Sequence, residues 1–324
     1  MLKIGVLGCG AMAACMAKTL RLSPELLPYA CGSRSLKKAR EFAAAQGFEK
    51  AYGNYEELLR DPQVGLVYIA TPHSRHGEDI ALCARYHKPV LCEKSFTLNE
   101  TQAQEAIRAA DDAGIFLTEA IWTRYLPMAK ILRDFAHSGK IGRITSVTAN
   151  LGYAVSDRDR VRNPLLGGGS LLDVGVYCLT FFSLILGDDV REVKATAELS
   201  DGGIDLQCYA TLTYAGGASA QLYSSIVNPT DRMGIIYGTE GYAIVGNVNN
   251  YEYLEIYGPD HKLLERIDRP AYLTGYEYQF AACEKAIRAG QRECEEMPHA
   301  ETLTVMRLMD RIREAAGISY PCEK

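Results

Sequence analysis

Apolar and polar positions follow two rhythms along this chain. In the first part, short apolar runs alternate with stretches of helical period. Lys3–Leu7, Pro28–Ser33, Leu66–Ala70, Pro89–Cys92 and Ile115–Thr118 read as strands. Between them Ala11–Leu22, Ser35–Gln46, Asn54–Leu59, Ser74–Tyr86 and Asn99–Asp112 read as helices, with Asn54 as an N-cap. Strands alternating with helices of such length imply βαβ units and a doubly wound parallel sheet.

Beyond Ala120 the rhythm changes. Tyr125–Ser138 reads as a helix. Ile144–Leu151, Val193–Leu199, Leu206–Tyr214 and Ala218–Ser224 alternate with period two, and Tyr251–Tyr257 gives a further strand. Ala215-Gly216-Gly217 and Thr239-Glu240-Gly241 read as hairpin turns. Gly167-Gly168-Gly169 precedes an apolar helix, Ser170–Leu186, and helices Tyr276–Ala289 and Ala300–Ala316 close the chain. The expectation is an α/β fold: a Rossmann domain over 1–121, then an α+β domain over 122–324 on a large, mostly antiparallel sheet.

Composition narrows the partners. The net charge of −5 argues against a nucleic-acid binder or a polybasic membrane anchor. No uninterrupted apolar run reaches the roughly 18 residues of a membrane span, so none is expected. The opening MLKIGVLGCG runs into a strand and lacks the features of a signal peptide. None of the ten cysteines forms C-x-x-C or pairs with His at zinc spacing. Reduced thiols in a cytoplasmic protein are therefore expected. Tyr outnumbers Phe by 20 to 8, and Trp122 is the single tryptophan.

The first strand runs into Gly8-Cys9-Gly10-Ala11-Met12-Ala13, which fits G-x-G-x-x-[GA]. Gly8 would make the tight turn, Gly10 would let backbone approach a pyrophosphate, and Ala13 would permit close helix–strand packing. The second strand ends in Cys31-Gly32-Ser33-Arg34-Ser35 with no carboxylate to accept from a ribose 2′-hydroxyl. Ser33 could donate to a 2′-phosphate, Arg34 could clamp it or stack on adenine, and Lys38 adds charge. NADP is therefore expected over NAD, with NAD still possible.

Ligands in such sheets bind at the carboxyl ends of the strands. Two loops there carry chemistry: Thr71-Pro72-His73-Ser74-Arg75-His76 and Glu93-Lys94-Ser95. A lysine at such a strand end can bind a substrate hydroxyl and shuttle its proton. His73 and His76 have no third ligand type near them in sequence, so no metal is expected. Asp173 and Tyr177 are four apart and would share a helix face, where a carboxylate orients a phenol for acid–base work.

The motifs GCGAMA, CEKS and GGGSLLDVGVY together resemble the glucose–fructose oxidoreductase/inositol dehydrogenase family (Gfo/Idh/MocA), over essentially the whole chain. The stretch FLTEAIWTRY and the tyrosine of LLDVGVYC are similar to its branch of dimeric dihydrodiol dehydrogenases and NADP-dependent xylose dehydrogenases. The resemblance implies that Lys94 holds the substrate hydroxyl, with Asp173 and Tyr177 as the proton-handling pair. It implies that Trp122 and Arg124 lie near nicotinamide and substrate, with Trp122 against both; Tyr153, in an irregular loop, is expected at the substrate. It also implies that Thr71, Pro72, His73, His76 and Glu93 lie at the cofactor. Ser95 stands where the family usually has proline, which would loosen the turn after Lys94.

The expected function is NADP-dependent hydride transfer at a secondary alcohol of a sugar, cyclitol or trans-dihydrodiol. The expected assembly is a homodimer through the second sheet, because Tyr209, Thr211 and Thr213 alternate along one side of its strand. Two other readings stay open: an NAD-dependent glycoside hydrolase, and a non-catalytic dinucleotide sensor.

Overall fold

The computed structural model describes residues 1–323. Contacts divide the chain into two units, Met1–Tyr125 with Tyr272–Leu303, and Leu126–Ala271 with the chain from Thr304 on. This differs from a single break after 121. The segment from Tyr272 to Leu303 packs with the first unit, a long-range return that local sequence pattern does not reveal.

The first unit holds β1 (Leu2–Leu7), β2 (Leu26–Gly32), β3 (Lys50–Tyr52), β4 (Leu66–Ile69), β5 (Val90–Glu93) and β6 (Leu117–Ala120). They pair in parallel in the order β3-β2-β1-β4-β5-β6. This is the doubly wound sheet read from the sequence. Its strand order reverses beside β1, which opens a crevice at the carboxyl ends of β1 and β4. Ile4, Val6, Leu7 and all of β4 are fully buried, which is why these strands read as continuous apolar runs. Pro28 has no N–H to give the ladder, and the β1–β2 register slips there: Ile4 faces Pro28 but Gly5 faces Ala30.

The helices of this unit are α1 (Ala11–Leu22), α2 (Leu36–Gln46), α3 (Tyr55–Arg60), α4 (His76–Arg85) and α5 (Glu100–Ala113). Side chains cap three of them: Ser35 accepts from Lys38 N (3.4 Å), Asn54 from Glu57 N (2.8 Å) and Asn99 from Gln102 N (2.9 Å). The start of α1 has no side-chain cap.

The second unit contributes α6 (Pro127–Ala136), α7 (Asp159–Arg162) and α8 (Val176–Leu186). Its strands are β7 (Ile144–Gly152), β8 (Val190–Leu199), β9 (Asp205–Tyr214), β10 (Ser219–Ser225), β11 (Gly234–Gly238), β12 (Tyr242–Gly246), β13 (Tyr253–Tyr257) and β14 (Leu263–Asp268). The sheet order is β14-β13-β12-β11-β7-β10-β9-β8, antiparallel except for the β7–β10 pair. The chain then forms α9 (Glu277–Arg288) and α10 (His299–Ala316).

Helix α8 packs on β7 and β10 and covers one face of this sheet. The other face is open at β9, where Tyr209, Thr211 and Thr213 are exposed while Cys208, Ala210 and Leu212 are buried. The expected alternation is thus present. Pro164–Leu186 has the length and mean hydropathy (1.8) of a membrane-crossing helix, although polar and glycine residues interrupt its apolar run. It is core segment, ending in α8, with 94% of that window buried inside the protein.

Candidate active site

The first strand–helix junction is built for close approach. Gly8 adopts φ +99°, and a Cβ there would sit 2.8 Å from the Ala70 carbonyl oxygen. A Cβ on Gly10 would meet nothing within 4 Å, so open space lies over the start of α1. Ala11 is exposed, Met12 half-buried, and Ala13 fully buried under the helix. The uncapped N–H groups at α1 and the space beside Gly10 together fit a pyrophosphate. At the end of β2, Ser33 is buried, whereas Arg34 and Lys38 are exposed. Ser33 Oγ accepts from Ser35 N at 3.4 Å.

The loop after β4 and the loop after β5 hold each other. His73 Nε2 lies 3.1 Å from the Lys94 carbonyl oxygen. His76 Nδ1 and Nε2 lie 2.9 Å from the carbonyls of Ser95 and Thr71. His76 is 0% exposed, and burial together with nearby Lys94 holds its pKa down against these hydrogen bonds. His76 thus lies between the backbone of the two loops, within hydrogen-bond distance of a carbonyl of each. Ser95 is buried, the Lys94–Ser95 peptide is cis, and the two histidines brace the turn.

Thr71 Oγ1 donates to Asp79 at 2.7 Å, and Pro72 is half-buried beside it. Burial pushes the Asp79 carboxyl up. Glu93, also buried, accepts from the Tyr68 hydroxyl and, at 3.3 Å, from the backbone N–H of Lys94. Tyr68 was not legible as a site residue, since it reads as one apolar position of LVYI. Lys94 itself is half-buried at the end of β5.

Trp122 lies over Tyr276, ring centroids 4.5 Å apart. Arg124 is 7% exposed, with Nε 3.1 Å from the Glu296 carbonyl and Nη1 3.4 Å from Glu301. These contacts tie Arg124 to the segment before α10 and to the first turn of that helix. Glu119 on β6 is also buried. Burial, with Glu301 and Glu93 nearby, pushes its carboxyl up to about 8, although Thr302 Oγ1 donates to it at 2.9 Å.

In the second unit, the helix expected over Ser170–Leu186 begins differently. Leu171–Gly175 forms a π-helical turn before α8. Asp173 lies in that turn and Tyr177 in the first turn of α8; they are 4% and 7% exposed. Arg160, on the four-residue α7, reaches Asp173 with Nη1 2.5 Å from Oδ1. Gly169 (φ +118°) leads into the π turn, and any side chain there would collide with the Asp205 carboxylate. Asp205 accepts from Ser170 Oγ (2.7 Å) and Leu171 N (2.6 Å), which fixes the start of the turn. Burial pushes Asp205 up to about 6. Tyr153 accepts from Asn249 Nδ2 at 3.1 Å. The sequence reading missed Arg160 and Asp205. Arg160 sits in the charged run SDRDRVR with nothing to single it out, and Asp205 opens a strand far along the chain.

The parallel sheet, glycine turn and uncapped helix start define a dinucleotide-binding unit, joined to an α+β unit. Comparison with known proteins agrees. The oxidoreductase family with NAD-binding Rossmann fold matches residues 2–120, and the GFO/IDH/MocA C-terminal domain matches 130–244. The chain belongs to the GFO/IDH/MocA oxidoreductase family. It is 32% identical to mouse (Mus musculus) trans-1,2-dihydrobenzene-1,2-diol dehydrogenase, over 100% of this chain and 99% of that protein. The human (Homo sapiens) protein of that name is 29% identical over the same shares. The crystal structure of KijD10, a 3-ketoreductase from Actinomadura kijaniata in complex with NADP and TDP-benzene, superposes with a TM-score of 0.88. Its sequence identity is 28%, with 97% of this chain and 98% of that one covered.

Proposed function

We propose that this oxidoreductase moves hydride between NADP(H) and a secondary-alcohol carbon of a sugar, cyclitol or trans-dihydrodiol. The observation that carries the reading is the braced lysine: two histidines and Glu93 fix the backbone around Lys94 at the carboxyl end of β5. A fixed ammonium can bind a hydroxyl oxygen and favour loss of its proton. In this reading, Tyr177 takes that proton as hydride leaves the carbon, with Asp173 on the π turn that precedes it. The dinucleotide, when bound, supplies the hydride acceptor or donor.

Gly8, Gly10 and the start of α1 would hold the pyrophosphate. The preference for NADP rests on the end of β2, where Arg34 and Lys38 offer positive charge and no carboxylate stands at the end of the strand. Trp122 in the first unit and Tyr153 in the second are the aromatic residues this reading assigns to substrate contact. The related dehydrogenases and the NADP-bound ketoreductase support a hydroxyl- or keto-bearing ring as the substrate class. We place the chain in the cytoplasm on its ten free thiols, and as a homodimer through the open sheet face.

A screen of NADP⁺ and NAD⁺ reduction across pentoses, hexoses, inositols and trans-dihydrodiols tests the reading. Turnover with NADP⁺ on at least one class is expected. Tightly retained NAD⁺ with cleavage of a nitrophenyl glycoside, or dinucleotide binding with no turnover on any class, would overturn it.

A further inference from the structure

The end of the chain packs on Pro164–Leu166, in the loop between Arg160 and Asp173. Gly317 (φ +71°) ends α10, and Ile318 N turns back to the Arg313 carbonyl at 2.9 Å. From there Ile318 and Tyr320 are buried while Ser319 and Pro321 are exposed. Arg313 lies over the Tyr320 ring, its guanidinium carbon 4.4 Å from the centroid, and donates to both carboxylate oxygens of Glu323. Cys322 Sγ donates to the Pro164 carbonyl at 3.3 Å. The last residues of a domain are poorly ordered unless they are tied down, and these are tied at Tyr320, Cys322 and Glu323.

Two of those ties fall where the candidate site is held. Gly169 leads the loop into the π turn that bears Asp173. A Cβ there would run into the Asp205 carboxylate and lie 3.3 Å from the Tyr320 hydroxyl, so both groups border the same backbone atom. Asp205 spends Oδ2 on Ser170 Oγ and Leu171 N, and Ser170 Oγ also lies 3.0 Å from Ser224 Oγ on β10. Among the described residues, Asp205 Oδ1 has no hydrogen-bond partner, and neither has the Tyr320 hydroxyl. Burial and the Asp205 charge push the Tyr320 phenol up, so it keeps its proton. The chain end therefore sets an unused donor beside an unused acceptor where the turn starts. Cys322 holds the other segment. Gly169 N returns to the Val161 carbonyl at 2.8 Å and Asn163 N to the Asp159 carbonyl at 2.9 Å, which makes one closed loop of α7, Pro164 and Gly169.

We propose that the C-terminal segment positions the ion pair of the site: Tyr320 fixes the start of the turn that bears Asp173, and Cys322 fixes the loop that bears Arg160. The pair spans two short pieces, the four-residue α7 and the five-residue π turn. Helical pieces of one turn do not hold their own direction and need tertiary support. Displacing either by about 1 Å would open the pair and swing the start of α8, and catalysis is steep in such misplacement. Tyr320 and Cys322 act through Asp173 and Arg160, so they are positioning residues.

The inference rests on the reading in which Asp173 and Tyr177 handle the proton, and the experiment separates the two. Tyr320→Phe, Cys322→Ala and Cys322→Ser are made in the full chain. Each is read by NADP⁺ reduction with an accepted alcohol, by NADPH fluorescence titration, and by backbone hydrogen exchange of peptides covering 158–177. Tyr320→Phe and Cys322→Ala should each lower kcat about tenfold, with NADPH affinity within about twofold of wild type. Cys322→Ser, whose hydroxyl can donate to the same carbonyl, should recover most of the loss. In an Arg160→Ala background, Cys322→Ala should cost less than about twofold more, because the pair it positions is already gone. Exchange should quicken over 158–177 and stay unchanged in the first unit. Turnover within about twofold of wild type in Tyr320→Phe and Cys322→Ala, where Asp173→Asn is slow, would overturn the inference. So would exchange that keeps its wild-type rate over 158–177 or quickens evenly across the second unit. Wild-type turnover in Asp173→Asn would count against the proton-handling reading itself, while exchange over 158–177 would still judge the hold of the chain end.

Discussion

Replacing Glu119 by glutamine should make the first unit more stable at mildly alkaline pH and leave it little changed in acid. Glu119 is buried on β6, and the largest effect on its carboxyl is loss of water, with Glu301 and Glu93 adding repulsion. Its pKa rises from 4.5 to about 8. The folded chain therefore keeps a proton that the unfolded chain has already released. The stability this proton contributes is complete below about pH 4.5 and is lost as pH rises toward about 8. At about 1.4 kcal/mol per tenfold change, the interval sets a ceiling of roughly 5 kcal/mol. Water entry and the new amide's need for partners reduce the net gain to on the order of 2 kcal/mol. Urea unfolding followed by the fluorescence of Trp122, the single tryptophan, reports on this same unit. Comparing wild type and Glu119→Gln near pH 5 and pH 8 cancels the other titrating groups, to a first approximation. The variant should gain about 2 kcal/mol more at the higher pH. An equal effect at both pH values would refute the reasoning.

Three further outcomes follow from named contacts. Asp61 is buried and takes hydrogen bonds from Lys50 (2.8 Å), Tyr52 (2.7 Å), Tyr29 (3.0 Å) and Gln63 N (2.9 Å), which hold its carboxyl well below the usual range against burial. Asp61→Ala should lose about 3 kcal/mol by urea unfolding at neutral pH, and less in acid, where wild type itself loses this contribution as the carboxylate takes up its proton. Arg160→Ala removes one ion pair of the buried Asp173; turnover should fall about tenfold to a hundredfold, and Arg160→Lys should recover part of it in steady-state assays. Tyr209, 47% exposed and stacked on Tyr223 at 4.6 Å, lies on the open sheet face; Tyr209→Asp should convert a dimeric mass by light scattering to a monomeric one.

Much of the first unit was legible because its central strands are buried on both sides. Ile4–Leu7 and Leu66–Ile69 stand out as apolar runs between amphipathic helices, and the glycine turn marks the cofactor end. The short β3 was missed because three half-buried residues carry no periodicity. β11 and β14 were missed because one or more inward positions are only partly covered, and β12 because its outward Tyr242 and Ile244 are half-buried and apolar, which blurs the alternation. The Asp173–Tyr177 pairing was read from helical spacing, but the π turn there belongs to the Gly169–Asp205 contact, which links residues far apart in sequence. Lys94 was visible as a strand-end lysine. What braces it, His73 and His76 reaching back from the preceding loop, became visible only once two strand ends lay side by side.

The central claim is that Lys94 and Tyr177 handle the proton of a substrate hydroxyl while hydride moves to or from NADP. It is tested most directly by NADP⁺ reduction with an accepted alcohol, comparing wild type, Tyr177→Phe and Lys94→Ala at saturating cofactor. The account predicts turnover lowered about a hundredfold or more in both variants, with NADPH affinity of Tyr177→Phe within about threefold of wild type. Turnover close to wild type in both variants would contradict it.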